Sequence, residues 1–111
     1  MSWIAWELII NSLASMTYNK DRWLLDTIKK VWEKGRIVSS EDTSVFRKDA
    51  CGAWIQLSKH GDRNSDYGWE IDHIQPVALG GSDFLSNLQP LHWKNNVEKG
   101  DSSTLKCAVS N

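Results

Sequence analysis

Between Gly68 and Gly100 polar and apolar residues alternate with two different periods, and this restricts the fold more than any other part of the chain. Gly68-Trp69-Glu70-Ile71-Asp72-His73-Ile74 lies in a strand predicted from Tyr67 to Ile74, which sends Glu70 and Asp72 to one face and Ile71 and His73 to the other. A bend after Asp72 would turn His73 towards the same cleft. Gly80-Gly81-Ser82-Asp83 marks a turn, and a short helix is predicted from about Leu91 to Lys99, ended by Gly100. On that helix His92 and Asn96 share a face, Lys99 continues it, and Trp93 and Val97 form a neighbouring pair able to grip a core. Strand and helix thus each carry an apolar anchor and a polar face. The pattern suits a metal or phosphate site without naming a reaction.

Upstream, Trp3, Trp6, Ile10 and Leu13 recur at helical spacing with Ile9 beside them, predicting a helix from Trp3 to Met16. A second helix is predicted from Arg22 to Lys34, with Leu24, Ile28 and Val31 on one face, Trp32 beside it, Asp21 as cap and Gly35 as stop. Ile37 to Asp49 reads as a connection. Cys51 to Leu57 alternates like a strand, Lys59 to Asp66 has turn composition, and the returning Tyr67–Ile74 strand suggests a hairpin with a long loop. A chain of 111 residues closes one core, so a single domain is expected over 1–111, with a helical segment at 1–36 and a site-bearing module at 50–101. The seven Trp serve mainly to fill that core.

The 13 basic and 14 acidic residues give no global positive field, which argues against a passive nucleic-acid binder and leaves room for a local phosphate cleft. Cys51 and Cys107 are too few for a four-thiolate zinc cluster, and a disulfide between them stays open. Trp3 to Ile10 is apolar but contains Glu7 and lacks a basic start, and no stretch is clean enough to span a bilayer. A cytoplasmic location without membrane contact is the expectation. Gly80 and Gly81 serve a turn, since no phosphate-cradling helix follows them directly.

Asp72-His73, Asn87 and Asn96, set among Ile74-Gln75-Pro76, Gly80-Gly81, Asn87-Leu88-Gln89 and Asn96-x-x-Lys99-Gly100, together resemble the HNH endonucleases. The likeness covers about Cys51 to Asp101 and is of the bacterial or phage type lacking structural zinc cysteines, because His92 and Asn95 stand where such a pair would be. In some bacterial relatives similar text reaches upstream to Arg47-Lys48-Asp49. It implies an α+β fold: a small ββα-metal module with two additional N-terminal helices. It also implies DNA phosphodiester hydrolysis with one divalent ion, held by Asp72, Asn96 and, as a third ligand or a more distant contact, His92. His73 would be the general base and Asn87 the residue restraining the loop and His73. Lys99 and Arg63 are candidate phosphate contacts, and Glu70 either assists the metal's surroundings or makes a salt bridge. Oxygen ligands favour Mg²⁺, with Mn²⁺, Ni²⁺ or Zn²⁺ as alternatives if His92 takes part. The implied partner is double-stranded DNA, with a recruiting protein or homodimer as further partners. Two other readings remain: a catalytically weak nucleic-acid-binding or assembly protein, and a nuclease toxin effector.

Overall fold

The computed structural model describes residues 23–111. The helix expected at Trp3–Met16 and the cap expected at Asp21 lie outside the described residues. Helix α1 (Leu25–Trp32) buries Ile28, Val31 and Trp32, the stripe that its spacing predicts. Leu24 does not share that face: it holds the N-cap position and is 43% exposed. The chain leaves α1 at Gly35, where a Cβ would press on the Arg47 side chain and the Trp32 carbonyl.

Four strands follow in two antiparallel pairs. β1 (Phe46–Lys48) pairs with β2 (Trp54–Gln56), and β3 (Trp69–His73) pairs with β4 (Leu88–His92), which runs into helix α2 (Trp93–Lys99). The expected hairpin between the Cys51–Leu57 and Tyr67–Ile74 stretches does not form as a strand pair. β2 is taken by the segment just before it, inside the stretch that reads as a connection, and β3 by the residues ahead of α2. Pro90 masks β4 in sequence because it cannot donate to a ladder. Here Trp93 N–H donates to the Gly68 carbonyl and Ile74 N–H to the Asn87 carbonyl, so the even-numbered β3 residues make the bonded pairs. Pro90, opposite Ile71, falls at a non-bonded position where a missing N–H is harmless.

The core joins α1 to both pairs through Ile28, Val31, Trp32, Ile55, Trp69, Ile71 and Leu88, with the Trp32 and Trp69 rings 5.4 Å apart. Among the described residues no helix is long and apolar enough to cross a membrane.

The segment after α2, patternless in sequence, is tied back twice. Asn95 donates to the Val109 carbonyl at 2.8 Å and accepts from its N–H at 2.8 Å, and Cys51 forms a disulfide with Cys107. Closing a loop with a sequence separation of 56 residues restricts the unfolded chain by about 4 kcal/mol in the chain-entropy model. Guanidinium unfolding with and without reductant should show a loss of about that size, and coincident curves would rule the link out as a staple.

Candidate active site

β3 is buried at four of its five positions, so its two acidic side chains require polar partners there. Both have them. Asp72 accepts from Lys99 Nζ at 3.1 Å on Oδ1 and from Nε2 of Gln89, its cross-strand partner, at 2.9 Å on Oδ2. Glu70 takes a fork from Arg63, Nε to Oε2 at 2.7 Å and Nη2 to Oε1 at 2.9 Å, and a third bond from Asn96 Nδ2 at 2.8 Å. Burial by itself would raise the Glu70 pKa; the bonds from Arg63 and Asn96 and the nearby charges of Arg63 and His60 outweigh it and hold the carboxyl below its usual value.

A carboxylate can only accept, so the nitrogen of the Asn96 amide must face Glu70. Its oxygen is thereby turned to the other side. Asn96 lines one open cavity of about 270 Å³ together with Asp72, His73 and Asp101, roofed by the turn at Pro76–Ala78. Among the described residues no three His, Cys, Asp or Glu side chains cluster as a metal-holding group. Beside His73 the cavity offers oxygen donors: the Asp72 carboxylate and the Asn96 amide, with the Asp101 carboxylate also on its wall. That donor set suits a hard divalent ion that keeps most of its waters.

His73 ends β3 and is bonded through Nε2 to Asp83 Oδ1 at 2.7 Å. Because that oxygen accepts, Nε2 carries the proton in the neutral ring and Nδ1 keeps the lone pair. Asn87 closes the loop behind it. Its Oδ1 accepts from Gln75 N at 2.9 Å, and its Nδ2 donates to the carbonyls of Gln75 at 3.0 Å and Ser82 at 2.8 Å. Gly81 is required in this knot, because a Cβ there would overlap the Gln75 carbonyl oxygen.

Three side chains take positions other than those expected. His92 lies opposite Trp69, at the far end of the ladder from His73, and caps α2: Nδ1 accepts from Lys94 N at 3.1 Å and Nε2 bonds the Asp66 carbonyl at 2.8 Å. Both ring nitrogens are thus occupied, and His92 is not brought to the cavity. Lys99 does not reach out towards solvent; it is 3% exposed and holds Asp72 and the His73 carbonyl, the latter at 2.8 Å. Arg63 spends its fork on Glu70. The third histidine, His60, packs edge-on to Trp69 at 4.7 Å, and burial pushes its pKa down to about 4 against the pull of Glu70. Sequence reasoning missed Asp83, read only as part of a turn, and Gln89, whose role depends on the strand pairing.

A family model described as HNH endonuclease matches residues 51–102. That span contains β3, the Asn87 loop, β4 and α2, the parts that build the cavity. Residues 51–102 thus carry a similarity to the HNH family. No curated protein and no solved structure gives a match. In this HNH-like segment the β3–β4 pair and α2 supply a ββα arrangement, with α1 packed ahead of it.

Proposed function

We propose that the chain is a metal-dependent DNA endonuclease in which His73 is the general base and Asp72 and Asn96 are the protein ligands of one divalent ion, Mg²⁺ by preference. The observation that carries this reading is the meeting of Asp72, His73 and Asn96 around one polar cavity inside an HNH-family segment. Asp83 holds His73 in the tautomer that leaves Nδ1 free to take a proton from the attacking water. Asn87 limits the movement of the loop that carries it. Glu70 fixes the Asn96 amide through its nitrogen, which leaves the amide oxygen for the ion, and Lys99 and Gln89 hold the Asp72 carboxylate in place. When bound, the ion would supply positive charge to the phosphoryl group and the departing oxygen. Duplex DNA is the proposed substrate, a recruiting protein or a second copy of the chain a proposed partner, and Arg63 and Lys99 act in this reading through Glu70 and Asp72.

Supercoiled plasmid incubated with Mg²⁺, Mn²⁺, Ni²⁺ or Zn²⁺ separately tests this. Open-circular product with Mg²⁺ or Mn²⁺, absent in an Asp72→Ala variant, is the expected result. Equal cleavage by that variant, or none with any ion, would remove the proposal. A second reading, a secreted nuclease effector, is favoured by the Cys51–Cys107 disulfide, since such links persist in oxidising compartments.

A further inference from the structure

Along β4, lined by its Leu88, Gln89 and Pro90, lies a second groove of about 270 Å³, and its wall is basic: Lys34, Arg36 and Lys48 face it, with Asp49 as its one acid. The Asp49 carboxylate is 1% exposed and accepts four hydrogen bonds from the protein, so it is turned inward. Arg36 and Lys48 exchange two backbone hydrogen bonds, of 2.7 and 2.9 Å, which sets the two cationic residues directly opposite each other. Like charges so placed destabilise a strand pair. Among the described residues neither has a carboxylate partner. The Lys48 ammonium lies 4.6 Å from the centre of the Trp54 ring, a cation–π contact that restrains the side chain. Lys34 is fixed as well: its ammonium donates to the carbonyls of Leu85 and Leu88, leaving one donor over.

Resting on the nuclease reading, we propose that this groove binds backbone phosphates of the same DNA strand, a few nucleotides from the one cut in the cleft. Charge complementarity selects the ligand class: three cations concentrated in one groove of a chain whose net charge is -1. Continuity with the cleft selects the strand. Leu88, which receives Lys34, is the register partner of His73, and Gln89, which lines the groove, holds Asp72 with its side chain. A strand leaving the cleft therefore has only the width of β4 to cross, about 5 Å. Arg36 and Lys48 are the phosphate contacts, and Lys34 marks the edge nearest the cleft.

The test compares wild type with an Arg36→Ala/Lys48→Ala variant on a long DNA duplex. KM should rise about tenfold with kcat unchanged, and the slope of log affinity against log salt should fall by about 2, one for each phosphate no longer neutralised. A duplex too short to leave the cleft should show neither change. Arg36→Lys/Lys48→Arg should restore wild-type behaviour, as simple charge contacts predict. Should the double alanine variant fail to fold, Arg36→Gln alone, at an exposed position, should lower the slope by about 1. Unchanged KM and slope in a folded variant overturn the proposal, as does equal affinity for polyglutamate, which would indicate an acidic protein partner. If wild type binds DNA with the predicted slope yet never cleaves, the groove stands and the nuclease reading falls.

Discussion

Replacing His73 with alanine should slow plasmid cleavage about 10²-fold to 10⁴-fold, the contribution that a general base makes, while leaving the unfolding midpoint nearly unchanged. The separation follows from where the ring sits. His73 is the last residue of β3, and its side chain is bonded to an Asp83 that is 75% exposed. Exposed pairs of this kind contribute about 0–1 kcal/mol, so deleting one partner barely touches the fold. The backbone carbonyl of His73, which receives Lys99, survives the substitution. Metal affinity should also survive, because Asp72 and Asn96 are untouched. Asp83→Asn serves as the companion variant. An amide can present either its oxygen or its nitrogen to Nε2, so the tautomer is no longer imposed, and a loss of about tenfold is expected. Full activity in the His73 variant, with metal binding and stability intact, would show that another group takes the proton.

The elements that build the cleft are legible in the sequence because each has its own period. β3 alternates, and α2 repeats every three to four residues, so the sharing of one strand face by Glu70 and Asp72, and of one helix face by Asn96 and Lys99, needs no knowledge of the rest. Strand partners are different. Which segment lies beside β3 depends on contacts some 20 residues away, and Pro90 argues locally against the correct one. Spacing also leaves open the reach of a long side chain. The helical period puts Lys99 on the right face, but whether its ammonium extends to solvent or folds back to Asp72 is decided by a buried carboxylate that needs a counter-charge. His92 shows the same limit at a corner: as the residue between β4 and α2 it is bound to cap the helix, a role set by the strand end rather than by the helical period. Nor does the separation of Cys51 and Cys107 announce a link, since only the return of the tail over α2 brings them together.

A loss of stability comparable to that of opening the disulfide should come from Asp49, a residue outside the cleft in a stretch whose sequence reads as a connection. Its Oδ1 accepts from the N–H groups of Cys51 at 2.9 Å and Ala53 at 2.8 Å, and its Oδ2 from His92 N at 2.9 Å and Asn95 Nδ2 at 3.0 Å. One carboxylate thus ties the turn into β2 to the junction of β4 and α2, and through Asn95 to the tail. Asp49→Ala leaves four donors without their acceptor in a site closed to water. Hydrogen bonds to charged groups contribute about 1.5–3 kcal/mol each, but they are not additive, and losing one member of a buried charged cluster typically costs about 3–5 kcal/mol in all. We expect that range from urea unfolding with the disulfide intact, which confines the comparison to this hub. Asp49→Asn should recover only part of the loss, because its amide sets an NH₂ against groups that themselves donate. Well below the unfolding midpoint both variants should still cleave, since neither Asp72 nor His73 touches Asp49, and a loss under about 1 kcal/mol for the alanine variant would show that water or the disulfide already holds this corner.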